Sequence, residues 1–230
     1  MFTLEKIKFA LMTTLGYSMR KPDWNLPCLV LGSAPNPQLP RRSLDGIHLL
    51  CVNSSGWSAK QRGLPIPRLT VLGGFKLTKP DREIDRQALR GLRTQQLLLL
   101  THLLKLTLAE AKEKLAQLDY QYVNMKTMNY ARRARMIEAV TGEKLGRGDN
   151  ETSKISNGLF TACLALYEGA PEVILSGISL TSDELSYAQI KGRRRHILPD
   201  KEALIAMRDR QLPIKTSEPE LAKITGIELV

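Results

Sequence analysis

Apolar residues in this chain gather into short unbroken runs, and helical stretches separate one run from the next. The runs are Pro27–Gly32, Ile47–Val52, Arg68–Leu72, Gln96–Thr101, Tyr120–Val123 and Glu172–Ser176. A strand that faces water on one side alternates apolar with polar residues, whereas a parallel strand covered on both faces stays apolar throughout. Between the runs, Asp81–Arg90, Thr107–Leu118, Met125–Val140, Ser153–Glu168 and Pro199–Arg210 read as helices. Thr107 with Glu110 has the form of a capping box, and Pro199 suits a first helical turn. This alternation predicts an α/β fold: a single Rossmann-like, doubly wound, mostly parallel sheet with helices on both faces. Ligands of such sheets collect at the carboxyl ends of the strands, where the winding reverses. Three loops leave those ends: Gly32–Pro37, Asn53–Trp57 and the segment from Ser176 onward.

Residues 1–20 read as an N-terminal helix and 21–230 as one α/β domain. Phe2, Leu4, Ile7, Phe9, Leu11 and Leu15 line one side of that helix, with Lys6 and Lys8 near its polar edge. The pattern fits a helix lying at a membrane interface, and equally one packed on the domain or on a partner subunit. Its apolar part is too short for a secretory leader, and no stretch approaches the roughly 20 apolar residues of a spanning helix.

At 230 residues the chain can bury an ordinary core without cross-links. Its three cysteines, Cys28, Cys51 and Cys163, lie within apolar runs and lack metal-ligand spacing, as buried thiols do. The net charge of +11 is densest at Arg41–Arg42, Arg132–Arg133–Arg135 and Lys191–Arg195. Such an excess favours anionic partners, either phosphorylated substrates or an anionic membrane face. Nucleic acid rests on charge alone, because no recognition motif accompanies it and aromatic residues make up only 5%. The loop from Gly32 lacks dinucleotide-binding glycine spacing, and no Walker A lysine motif occurs. No metal site is expected: His48 and His102 have no Cys or second His at ligand spacing, and no Asp-x-Asp pair is present.

The stretch with most chemistry is Lys154-Ile155-Ser156-Asn157-Gly158, a polar turn that feeds an apolar helix. Free backbone N–H groups and a partial positive charge at such a helix start suit a phosphate or carboxylate. Ser and Asn there are equally the residues that cap helices in the ordinary way. Tyr187 and His196 follow shortly afterwards, adding a phenol and a titratable imidazole. On the residues alone, His196 is either a general base or a surface histidine beside Arg193–Arg195. Tyr187 is either a hydrogen-bond donor or a tyrosine packed beneath a loop.

Taken in order, these pieces resemble glycosyltransferase family 42, the bacterial sialyltransferases that use CMP-sialic acid. The resembling segments are Gly32-Ser33-Ala34-Pro35-Asn36, Cys51-Val52-Asn53, Lys154 to Gly158 and Leu175-Ser176-Gly177-Ile178-Ser179. Ser186-Tyr187-Ala188 and then His196, Asp200 and Ala203-Leu204 complete the series. The match is densest over residues 154 to 204, and residues 75 to 150 follow it in general pattern only. The resemblance implies a GT-A-like variant of the fold and a metal-independent, inverting transfer of an acidic sugar from a CMP donor. It implies that His196 takes the acceptor proton, and that Tyr187 and Thr181 stand where the family places hydroxyls on the departing phosphate. It places Gly32, Ser33, Asn53, Lys154, Ser156, Asn157 and Gly158 around nucleotide and sugar. It implies no cofactor beyond the CMP-sugar substrate, and a saccharide or lipid-linked acceptor. With the basic surface it suggests a cytoplasmic protein peripheral on the inner membrane face, and self-association. Ser33, Asn157 and Ser179 depart from the family's Asn, Ser and Asp, and Lys154 keeps the charge of an arginine without its bidentate fork. Those departures keep a second reading open: a noncatalytic nucleotide- or phosphate-binding module on the same fold.

Overall fold

The computed structural model describes residues 24–101, 106–145, 154–182, 184–187 and 196–230. The expected N-terminal helix over 1–20, His102, and the basic run Lys191–Arg195 lie outside the described residues. Eight strands form one sheet: β1 (Cys28–Leu31), β2 (His48–Val52), β3 (Leu69–Gly73), β4 (Arg93–Leu100), β5 (Gln121–Met128), β6 (Val173–Ser176), β7 (Ile214–Thr216) and β8 (Glu228–Leu229). Every pairing is parallel, in the order β5-β4-β3-β2-β1-β6-β7-β8. The helices are α1 (Gly56–Gln61), α2 (Phe75–Thr78), α3 (Glu83–Leu89), α4 (Leu108–Gln117), α5 (Tyr130–Thr141), α6 (Asn157–Tyr167), α7 (Ile197–Asp209) and α8 (Pro219–Thr225).

The unbroken apolar runs have the predicted cause, since both faces of the central strands are covered. Val30, Leu50, Val71 and Leu175 point to one side, where they meet Leu159, Phe160 and Cys163 of α6, with Met136 and Ile137 of α5 and Leu204 of α7 in the same core. Leu29, Leu31, Leu49 and Cys51 point to the other side, against Ala59 of α1. Further along that side, Leu72, Leu97 and Leu99 pack with Leu77, Leu89, Ala111 and Leu115 of α2, α3 and α4. The three cysteines are buried, and burial pushes their thiols up to about 12.

The structure corrects one element boundary. Met125–Met128 are not helical; they extend β5 and pair with Leu97–Leu100. Helix α5 starts only at Tyr130, where the Asn129 side chain caps it by accepting from the Arg132 N–H at 2.9 Å. The expected capping box at Thr107 and Glu110 is present in both halves. The short elements α1, α2, α8, β7 and β8 carry too few residues for a hydrophobic period to show.

From β1 the chain winds outward to β5, returns through α6, and resumes on the far side of β1 at β6. The carboxyl ends of β1 and β6 therefore flank the point where the winding reverses, where ligands of this fold class bind. Two glycines allow those ends to touch. Gly32 N–H donates to Ser176 O at 2.7 Å and Ala34 N–H to Gly177 O at 2.8 Å. A Cβ on Gly32 would stand 2.2 Å from the Gly177 carbonyl oxygen, and Gly177 itself has φ +64°. Gly32→Ala is expected to cost about 3 kcal/mol in urea unfolding, because the clash is with backbone that cannot rotate away.

Candidate functional site

Helix α6 begins at the carboxyl edge of the sheet. Ser156 caps it, its hydroxyl accepting from Leu159 N–H at 3.2 Å. The first intrahelical bond is Phe160 N–H to Ser156 O at 3.0 Å, so the N–H groups of Asn157 and Gly158 precede the helical ladder. Asn157 Nδ2 donates to Asn53 Oδ1 at 3.2 Å, and the same oxygen accepts Gly73 N–H at 3.0 Å. Asn53 has φ +52°, a left-handed conformation that asparagine tolerates better than most residues. A Cβ on Gly158 would lie 2.6 Å from Ile178 Cδ1, and one on Gly32 2.5 Å from the same atom. Gly32, Asn53, Ser156, Asn157 and Gly158 are thus linked from the ends of β1 and β2 and the start of α6, with Gly73 at the end of β3 and Ile178 after β6 as their shared neighbours.

His196 immediately precedes α7 and lies beside this helix start. Its Nδ1 is 2.5 Å from Lys154 O. A carbonyl oxygen can only accept, so in the neutral ring the proton sits on Nδ1 and the lone pair on Nε2. Asp200, one turn into α7, accepts the Ser156 N–H at 2.7 Å. Lys154 Nζ lies 5.7 Å from the centre of the Tyr130 ring, so its charge is held over an aromatic face of α5. Arg133, one of the Arg132–Arg133–Arg135 basic cluster, is buried and donates to Ile155 O at 2.6 Å. Burial pushes its pKa down, and the nearby Tyr130 and Asp200 oppose that.

A strap of residues 184–187 crosses the ends of β1 and β2. Ser186 N–H donates to Ser33 O at 2.9 Å, and the Ser186 and Ser58 hydroxyls are 2.7 Å apart. Tyr187 is the anchor: its hydroxyl donates to Asp85 Oδ1 at 2.5 Å, which also accepts Lys76 Nζ at 2.5 Å. The Asp85 backbone oxygen accepts from Ser54 Oγ at 3.1 Å, linking the cluster to the loop that carries Asn53. Burial and then the Asp85 charge push the Tyr187 phenol well above its ordinary value. Burial pushes Lys76 down against the pull of Asp85.

Two positions read from sequence have other engagements. The Tyr187 hydroxyl donates to Asp85. Thr181, exposed, donates from its hydroxyl to Glu220 of α8 at 2.6 Å. Sequence reasoning missed Lys76 and Asp85, which have no motif around them, and Glu218, whose carboxylate accepts Gly177 N–H at 2.6 Å and Gln38 N–H at 2.9 Å. Among the described residues, no three His, Cys, Asp or Glu gather to hold a metal ion, and no helix is long and apolar enough to cross a membrane.

The parallel eight-stranded sheet with its helices has the GT-A-like fold of solved sialyltransferases. Solved structures that this chain resembles include sialyltransferases of Campylobacter jejuni. CstII in complex with the substrate analogue CMP-3FNeuAc aligns with TM-score 0.55 and 13% identity, over 89% of this chain and 86% of that one. The monofunctional alpha-2,3-sialyltransferase Cst-I aligns with TM-score 0.53 and 14% identity, over 92% and 82%. CstII with a trisaccharide acceptor and CMP aligns with TM-score 0.53 and 12% identity, over 87% and 85%. No protein-family model matches the chain, and no curated protein matches it in sequence. At such identities the likeness is one of fold.

Asp85→Ala is expected to cost about 3–5 kcal/mol in chemical denaturation, because it leaves the Lys76 ammonium buried without its counter-charge. Tyr187→Phe, which removes one hydrogen bond to a charged group, should cost only about 1.5–3 kcal/mol.

Proposed function

We propose that this protein is a metal-independent, inverting glycosyltransferase that moves sialic acid or a related acidic sugar from a CMP donor to a saccharide or lipid-linked acceptor. The observation that carries the reading is the hydrogen bond between His196 Nδ1 and Lys154 O, two residues ahead of the cap of α6. That bond supports the reading because it ties an imidazole, with its proton on Nδ1, to the backbone leading into a helix start of the kind that suits an anion. The N–H groups of Asn157 and Gly158, with the helix dipole, receive the donor phosphate or the sugar carboxylate. Asn53, Ser156 and Asn157 shape that seat, Gly32 and Ser33 border it, and Lys154 adds positive charge. The acceptor oxygen attacks the anomeric carbon while the bond from that carbon to the phosphate oxygen breaks. The bonding pair leaves with CMP, and the hydroxyl proton passes to His196 Nε2. Fixed donors at the helix start stabilise the charge that gathers on the departing phosphate. The basic surface suits an anionic membrane face carrying the acceptor, at the cytoplasmic leaflet, and a homo-oligomer belongs to the same proposal.

One observation favours a second reading, that of a noncatalytic nucleotide- or phosphate-binding module. The hydroxyls of Tyr187 and Thr181, which the family resemblance assigns to the departing phosphate, bond to Asp85 and Glu220 instead. In the catalytic reading Tyr187 serves by anchoring the strap.

The two readings part at His196. CMP is expected to raise the thermal midpoint without magnesium, and His196→Ala to keep that shift while CMP release from a CMP-sugar falls by about 10²–10⁴-fold. Binding with no donor turnover in the wild type selects the module, and absence of any shift with CMP or CMP-sugars rejects both.

A further inference from the structure

Three consecutive backbone groups ahead of α6 are each held by a different side chain. Lys154 O meets His196 Nδ1 at 2.5 Å, Ile155 O accepts from the Arg133 guanidinium at 2.6 Å, and Ser156 N–H donates to Asp200 Oδ1 at 2.7 Å. Arg133 comes from α5, while His196 and Asp200 flank the first turn of α7, whose Asp200 N–H donates to His196 O at 2.9 Å. Residues 154–156 belong to no helix or strand, so these side chains give that backbone its direction. Arg133 and Asp200 are 7% and 5% exposed. Ions so deeply buried persist only where opposite charge and hydrogen-bond partners compensate them. The guanidinium carbon also lies 5.1 Å from the centre of the Phe160 ring, which ties it to α6 itself.

We propose that Arg133 and Asp200 are positioning residues that register His196 against the N-terminus of α6. The proposal rests on the reading of His196 as the base and extends it to two side chains that touch no substrate. The Lys154 carbonyl sets both the ring plane of His196 and the nitrogen that keeps the proton. Rotation of that carbonyl removes the acceptor from Nδ1, and the tautomer with its proton on Nε2 becomes competitive. That tautomer cannot accept a hydroxyl proton. Ile155 O and Ser156 N–H are opposite edges of one peptide unit, so Arg133 and Asp200 pin that plane from both sides and fix the Ile155 end of the neighbouring plane that carries the Lys154 carbonyl. The same grip fixes where the Asn157 and Gly158 N–H groups point. One short strut thereby sets the base and the anion seat together, and an error at either residue disturbs both.

The test reads the His196 tautomer by nitrogen-15 NMR of the imidazole, beside donor turnover and thermal stability, in the full chain. The wild type is expected as the Nδ1–H form. Arg133→Met and Asp200→Ala are expected to admit the Nε2–H form, to lower kcat about 100-fold and to raise donor KM severalfold, because base and anion seat are displaced together; the tautomer is the readout that a merely structural role would not move. Arg133→Lys and Asp200→Asn keep one donor or acceptor but lose the fork or the charge, and should lose about tenfold in kcat. These milder variants decide the matter should the truncations not fold. Folded variants with wild-type tautomer and kcat overturn the proposal. A tautomer that shifts in a protein whose wild type binds no CMP and turns over no donor overturns the catalytic reading and upholds the strut.

Discussion

Helix α6 is apolar almost all the way round, and its burial constrains everything at the carboxyl edge of the sheet. Residues Gly158 to Ala165 are all buried, so the helix needs cover on the sides the sheet does not reach. β1, β2, β3 and β6 supply one wall, and α5 and α7 supply the others. A helix wedged in this way cannot slide along its axis without opening cavities, each costing several kcal/mol at a Leu- or Phe-sized site. The position of its N-terminus is therefore a consequence of core packing. The helices that cover it also deliver Arg133, His196 and Asp200 to its first residues.

Polar groups on this edge are organised into two buried clusters on different faces of the sheet. One is Lys76, Asp85 and Tyr187, with Arg82 Nη1 at 3.7 Å from Asp85. The other is Arg133 and Asp200 around residues 154–156. Neither is an economical source of stability, because desolvating an ion costs several kcal/mol before any pairing returns it. What such clusters supply is direction. A carboxylate that must accept from two fixed donors has one orientation, and the loop attached to it inherits that orientation. The first cluster holds the strap over the ends of β1 and β2, and the second holds the strut ahead of α6.

Much of the fold is legible in the sequence because burial on both faces writes itself as unbroken apolar runs. Five of the strands, β1 to β4 and β6, announce themselves in this way. The limits of the reading have a physical basis too. β5 is an edge strand, half-buried and mixed in character, and its Met125 and Met128 fall at helical spacing with Met136 beyond them. Only pairing with β4 decides their conformation, and pairing is not a local property. In the site, Ser156 and Asn157 were legible from the polar turn before an apolar helix. Tyr187 was visible as a residue, but its partner lies 102 positions away. Arg133 looked like one arginine among several, and nothing in its neighbourhood distinguishes the member of the cluster that turns inward.

The departures from the family pattern make sense locally once their neighbours are known. Asn157 is longer than the serine at that place in the motif the sequence resembles, and it reaches Asn53 beside Gly73. A Cβ at position 73 would stand 2.6 Å from the Phe75 ring and 3.1 Å from Asn157 Nδ2, so a side chain at 73 would crowd the phenyl ring and push the Asn157 amide back by a few tenths of an ångström. Ser179 stands in place of an aspartate and turns its loop by accepting from the Thr181 and Ser182 N–H groups, at 3.1 Å and 2.9 Å. A carboxylate would accept those bonds equally well. It would also face Glu220 across the Thr181 hydroxyl, which lies 3.3 Å from Ser179 Oγ and 2.6 Å from the Glu220 oxygen. Two like charges sharing one hydroxyl repel, and serine avoids that conflict while keeping the turn. Glu220 of α8 thus accounts for the serine at 179 as a local exchange of charge for neutrality, made where the chain leaves β6.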